Sequence, residues 1–222
     1  MILRHRLSSF AIAVSAALTA HAQSSPIEMS QNFDQDTTLQ FEGMVGFQIP
    51  NSGDPISIKI DPNATLTLQH AVSKDTFQTG VANATQSRTI DFQRTGSMTF
   101  TGGDLVIRKE NYFATDSSYS DPTQQCFIRG GAGDERSELI FDNHSVVFEG
   151  DVRSGFLISG KERTLTFNNG FTMTIDRSES LNAENALTGA SIQAGALLKV
   201  FNDSVTTITA GVNDKRCTDS AL

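Results

Sequence analysis

Residues 138–151, ELIFDNHSVVFEGD, and residues 163–176, RTLTFNNGFTMTID, decide the fold. In the second stretch Leu165 and Phe167 alternate with Thr164 and Thr166. Asn168-Asn169-Gly170 then interrupts, and Phe171, Met173 and Ile175 resume the alternation against Thr172 and Thr174. The first stretch has the same form: Leu139 and Phe141, the polar break Asp142-Asn143-His144-Ser145, then Val146 and Phe148. Period-two alternation of β-branched and aromatic residues marks strands with one buried face, and the Asn, Asp and Gly breaks are turn chemistry.

The pattern extends in both directions. Upstream lie Ile56-Ser57-Ile58-Lys59-Ile60, Leu66-Thr67-Leu68, Ile90-Asp91-Phe92, Met98-Thr99-Phe100 and Leu105-Val106-Ile107; downstream lie Phe156-Leu157-Ile158, residues 197–200 and residues 205–208. The strands are short, each followed by a turn, and they recur in groups of three per roughly 22 to 26 residues, the beat of stacked coils. This predicts an all-β fold, a right-handed parallel β-helix or related β-solenoid. Many short strands with turn signals also fit a β-sandwich or jelly roll, which is the alternative. In a solenoid, inward residues stack on like residues of the next coil. Phe92, Phe100, Phe141, Phe148 and Phe167 are therefore expected to form an aromatic ladder, and the turn asparagines an amide ladder. Residues 39–68 read as a cap or a small antiparallel sheet at the start of a single β-rich domain over 39–212. Residues 178–187, SESLNAENAL, predict a short helix between coils.

Met1–Ala22 has the form of a secretory signal peptide: Arg4, His5 and Arg6 at the start, an apolar run from Phe10 to Leu18, and Ala20-His21-Ala22 as the cleavage site. The run is too short to span a bilayer core of about 30 Å, and no later run approaches that length, so no transmembrane segment is expected after cleavage. The leader looks bacterial, which predicts export to the periplasm, surface or exterior of a Gram-negative cell. Residues 23–38 are polar and acidic and read as a solvated lead-in. Asn32, Asp34 and Asp36 begin like a calcium loop, but Thr37 stands where its turn needs Gly.

The 222 residues carry 17 Lys+Arg against 25 Asp+Glu; without Arg4 and Arg6 the balance is 15 to 25, a charge of −10. Such a surface disfavours nucleic acid and anionic membranes as partners, because both require a cationic face. Cys126 and Cys217 are the only cysteines, and in an oxidising compartment they are expected to form a disulfide that ties the tail, residues 213–222, to the middle of the chain. That closes a loop of 91 positions, stabilising by about 4 to 5 kcal/mol in the chain-entropy account.

Residues 100–107 (FTGGDLVI), 138–151, 163–176 and 187–211 (LTGASIQAGALLKVFNDSVTTITAG) resemble the repeats of bacterial autotransporter passengers and are similar to those of polymorphic outer-membrane proteins. The resemblance covers residues 88–211 and implies a surface-displayed or secreted β-helix used in adhesion or shielding. The chain offers no recognisable membrane barrel of the kind that carries such passengers out.

Catalytic signals are sparse. His70 and His144 have no nucleophile motif beside them and read as surface turn residues. Carboxylates are the better enzyme candidates: Asp134 with Glu135 and Arg136, Glu149 with Asp151 and Arg153, and Asp104 with Arg108. Acid/base cleavage of a polysaccharide needs two carboxylates held at a set separation. No motif requires a metal or cofactor. Tyr112 and Tyr119 are the only tyrosines and there is no Trp, so their loop, ENYFATDSSYSD, is the candidate sugar contact. The expectation is a non-enzymatic structural or adhesive protein that binds a glycan or a surface protein, or associates with itself. The rival is a small secreted lyase or hydrolase using Asp134, Glu149 and Asp151. A third reading is a fragment of a larger surface protein.

Overall fold

The computed structural model describes residues 25–42, 45–72, 87–111, 126–131, 136–150, 152, 154–175, 188–193, 196–201 and 207–210. Among these residues there are strands and no helix, and every strand pair is parallel. The strands form three stacks. The first runs through β1 (Gln31–Phe33), the front half of β4 (Ile56–Val72), the front half of β6 (Gly96–Asn111), β8 (Ser137–Asn143), β11 (Arg163–Phe167) and β14 (Leu197–Val200). The second takes β2 (Thr37–Phe41), the rear halves of β4 and β6, β9 (Val146–Gly150), β12 (Thr172–Ile175) and β15 (Thr207–Ala210). The third holds β3 (Val45–Gln48), β5 (Arg88–Asp91), β7 (Cys126–Gly130), β10 (Ser154–Ser159) and β13 (Thr188–Gln193), with Ile27 bridging to Phe47 at its start. Successive passes of the chain add one strand to each stack, the pairing of a β-solenoid or β-helix. A sandwich or jelly roll is built from antiparallel strands, and none occurs among the described residues.

Two expectations at the front of the chain change. Residues 25–38 are not a solvated lead-in: β1 pairs with β4, and the Asp36 carboxylate accepts a hydrogen bond from the Thr65 backbone N–H at 2.8 Å. The apolar inward residues Ile27, Phe33 and Leu39 are separated by polar turns, which hides their periodicity. Residues 39–68 are not an antiparallel sheet, because β2 and β4 continue the parallel stacks. The predicted helix at 178–187 lies outside the described residues.

The spacing of coils also differs from the expected beat. Ser137 pairs with Arg163, 26 positions on, and Val147 with Thr172, 25 on. Elsewhere Arg88 pairs with Cys126, 38 on, and Ile56 with Met98, 42 on. The excess sits where the second stack passes to the third, between Val72 and Arg88, Asn111 and Cys126, and Ile175 and Thr188. Closing a longer loop costs little extra entropy, since the cost grows only with the logarithm of length. Register is set by the stacked faces and survives insertions at a corner.

The corners are tight where β4 and β6 bend. Gly102 has φ +95°, and a Cβ there would collide with the Ile60 carbonyl oxygen of the preceding coil. Only glycine combines that dihedral with that approach.

The three stacks enclose one core. Phe100, Phe141 and Phe167 occupy one register position in consecutive coils, and their rings stack at centroid separations of 5.3 and 4.8 Å with interplanar angles of 18° and 7°. Phe148, from the second stack, meets Phe141 and Phe167 edge-on at 6.2 and 6.0 Å, and Phe156, from the third, meets Phe148 at 5.0 Å. Burying each ring contributes roughly 1.5–3 kcal/mol, and each well-placed pair about 0.5–1.5 more. Phe92 is buried but stands outside this ladder, packed against Gly130. The turn asparagines do form a short ladder: Asn169 Nδ2 donates to the Asn143 carbonyl (2.7 Å) and Asn143 Nδ2 to the Gly103 carbonyl (3.1 Å).

Candidate functional site

Parallel register turns outward residues into columns. On the second stack one column reads Thr38, Thr67, Val106, Val147 and Thr172, with Thr207 at the next register position. Thr and Val are nearly isosteric, so the column is a uniform β-branched ridge, with one residue per strand spacing of about 4.8 Å. Beside it runs a polar column of Gln40, Gln69, Arg108, Glu149 and Thr174, with Thr209 at the next register position. Together they make a regular strip that alternates apolar methyls with hydrogen-bonding groups, suited to an extended partner lying along the stack.

Two charged groups interrupt the strip. Arg108 Nε and the Glu149 carboxylate form a close ion pair between adjacent coils, with side chains 53% and 40% exposed. An exposed pair of this kind contributes little stability, about 0–1 kcal/mol. At the corner, the Asp104 carboxylate accepts from Ser145 Oγ at 2.8 Å and lies 3.0 Å from His144 Nδ1. The Ser145 hydrogen bond holds the Asp104 carboxyl below its usual value; partial burial opposes this, and His144 adds to it. Asp104 and Arg108 were expected as partners, but each bonds across coils instead, because register places Arg108 beside Glu149.

Of the acids proposed for catalysis, Glu149 is described and is paired with Arg108, while Asp134 and Asp151 lie outside the described residues. Tyr112, Tyr119 and Cys217 also lie outside them. Cys126 is completely buried with a free thiol. Among the described residues no group of three His, Cys, Asp or Glu side chains is placed to hold a metal, and no helix is long and apolar enough to cross a membrane.

His70 behaves otherwise than expected. It is a fully buried residue of β4, not a surface turn residue, and it forms the heart of a polar cluster in the core. His70 Nδ1 lies 3.2 Å from Lys109 Nζ and 3.3 Å from Thr89 Oγ1, and its ring meets Phe41 at 6.3 Å. Lys109 pairs in register with His70 and is also completely buried. Burial pushes the Lys109 amine down to about 7 from 10.5, with the charge of Arg88 adding to the fall and Cys126 opposing it. Burial pushes the Cys126 thiol up to about 12, against the pull of Lys109, Arg129 and Arg88. Next to this cluster the Asp91 carboxylate, also buried, accepts from Arg88 Nε at 2.6 Å and from the Gln93 backbone and side-chain amides. His144 is the exposed turn residue that was expected, 82% exposed at its side chain.

The buried cluster carried a signal in the sequence. In Leu66-Thr67-Leu68-Gln69-His70 and Leu105-Val106-Ile107-Arg108-Lys109, the alternation that puts the leucines inside puts His70 and Lys109 inside as well. The same parity places Arg163 with Leu165 and Phe167. Arg163 is buried and donates to the Phe92 carbonyl (2.9 Å) and to Ser137 Oγ (2.7 Å).

No protein-family description, curated protein or solved structure matches this chain.

Proposed function

We propose that the chain is an exported, right-handed β-solenoid with a structural or adhesive role, binding a glycan or surface protein along the strip on its second stack. The observation that carries the reading is the column Thr38–Thr67–Val106–Val147–Thr172, continuous through five successive strands of that stack. A uniform ridge of this length offers a repeating partner the same contact several times over, so weak individual contacts multiply. The leader at Met1–Ala22 supports export, and parallel crossovers are right-handed in nearly all known cases. The acidic balance of 15 to 25 favours neutral or cationic partners over polyanions. Glu149 is engaged by Arg108 of the neighbouring coil, an arrangement that suits a binding strip better than an acid/base centre.

The test is a panel of polysaccharides incubated with the purified chain, following retained complex and new reducing or unsaturated ends together. Retention that falls at least tenfold in Val106→Lys/Val147→Lys supports the reading. Products that vanish in Glu149→Ala or Asp134→Ala would replace it with the polysaccharide-active alternative. Retention unaffected by the double variant would move the contact off the strip.

A further inference from the structure

The large apolar side chains that are exposed among the described residues are Met29 (65%), Leu197 (52%), Val200 (36%) and Phe201 (49%). All four lie on the first or last coil, and the described strands of the coils between them bury their large inward apolar groups. The unpaired sheet edges lie at the same two ends of the stacks. Among the described residues, β13, β14 and β15 each pair on one side only, as do β1 and β2. Val200 stands in register above Phe167, Phe141, Phe100 and Ile58, so it is the uncovered end of the column that forms the core. Met29 is two residues before Gln31, which pairs with Ile58, and marks the other end of the same stack.

Charge follows the same division. Residues 25–42 carry Asp34, Asp36, Glu42 and Glu28, the last in an ion pair with Arg94 at 2.6 Å, and no Lys or Arg; residues 196–201 carry Lys199, with Asp203 following in the sequence before β15. Lys199 is exposed.

We infer that a second copy of this chain docks head to tail, its first coil completing the ladder on the last coil of the copy before it. A parallel stack is a translational repeat, so the edge that ends one copy is the edge that begins the next. The union would pair β14 and β15 with β1 and β2, cover Val200 and Leu197, cover Met29, and set Lys199 against the acidic first coil. An unpaired edge with an apolar margin is a template for strand addition, and heterologous contacts that do not close into a ring give linear stacks. This inference uses the two ends and is independent of the strip on the second stack.

Sedimentation velocity of the purified chain over a range of micromolar concentrations tests it. Two variants each block one end: Leu197→Asp/Val200→Asp, which sets like charge against the acidic first coil, and Met29→Lys, which sets it against Lys199. The wild-type chain is expected to grow in sedimentation coefficient with concentration, and to do so less in high salt. Each variant alone is expected to be monomeric, and an equimolar mixture to form a one-to-one dimer, because each retains the end the other lacks. All these positions are exposed, so the variants should keep the wild-type far-UV spectrum and a cooperative melt; Phe201→Ser and Met29→Ser provide milder blocks. A monomeric wild-type chain overturns the inference. So does self-association of either variant alone, which would mean two like ends meeting, and so does a mixture that stays monomeric.

Discussion

The buried pair His70–Lys109 makes folding stability depend on pH in a direction unusual for a protein. Lys109 is completely buried, its amine held at about 7 against 10.5 in the ordinary case, and among the described residues no carboxylate forms an ion pair with it. Around it stand His70 at 3.2 Å and Arg88, whose like charge adds to the depression. The Cys126 thiol cannot serve as counterion, because its own value of about 12 keeps it protonated there. Between pH 7 and 10.5 the unfolded chain therefore binds more protons than the folded one, and stability rises with pH. The full difference corresponds to about 5 kcal/mol, of which about 2 kcal/mol is recovered between pH 7 and pH 9. In the reduced chain Cys126 acts oppositely: above pH 9 the unfolded thiol, at its ordinary 9.0, ionises while the folded one does not, so stability falls toward pH 12. The expected profile climbs from pH 7, peaks near pH 9 to 10, and declines beyond.

Urea denaturation at pH 7, 8 and 9 reads this directly. At an m-value of about 2 kcal/mol per molar, the midpoint should rise by roughly 1 M between pH 7 and 9. Lys109→Met removes the charge and keeps the length, so its midpoint should exceed the wild type at pH 7, with the gap narrowing by about 2 kcal/mol at pH 9. A wild-type midpoint that stays level or falls over this range refutes the reasoning. A variant that retains the full rise assigns it to another group.

Further expectations follow from the core and the corners. Phe141→Ala removes the middle ring of the Phe100–Phe141–Phe167 stack and should cost about 3–5 kcal/mol by denaturant midpoint; Phe92→Ala, outside the stack, should leave the ring contacts of that ladder unchanged in aromatic circular dichroism. Gly102→Ala meets both φ +95° and the Ile60 carbonyl and should cost more than the ~1 kcal/mol typical of a glycine in regular structure, seen as a lowered melting temperature. In the reduced chain Cys126 should resist iodoacetamide at neutral pH and react only on unfolding; prompt labelling would show that its site opens readily. Arg108→Ala should shift the midpoint by less than about 1 kcal/mol, since its partner Glu149 is exposed.

The alternation of residues 138–148 and 163–175 was enough, by itself, to identify the strands and their inward sides, because strand periodicity is a local property of backbone geometry. It therefore specified the inward positions of Phe141 and Phe167, as the alternation Met98-Thr99-Phe100 did for Phe100, without reference to any neighbour. The same rule, followed through residues 66–70, 105–109 and 163–167, leads inward to His70, Lys109 and Arg163, whereas residue type reads His70 as a surface turn residue. There parity prevailed over composition, because a strand held in register on both sides cannot turn one residue outward. The first coil was hidden by its own polarity: its few apolar residues, Ile27, Phe33, Leu39 and Phe41, gain their meaning only from the coil they cover.

Tertiary structure decided which strands lie side by side. Spacing read along the chain suggested coils of one length, but Arg88 meets Cys126 and Ile56 meets Met98 across very different separations, because corner insertions cost little while a slip of register would expose the core. That pairing alone sets Arg108 beside Glu149, lines up Thr38, Thr67, Val106, Val147 and Thr172 in one ridge, and brings Lys109 to His70. Contacts between coils join residues some 20 to 43 positions apart, and no local pattern encodes them. They arise when separate strands with matching inward faces close over a common core.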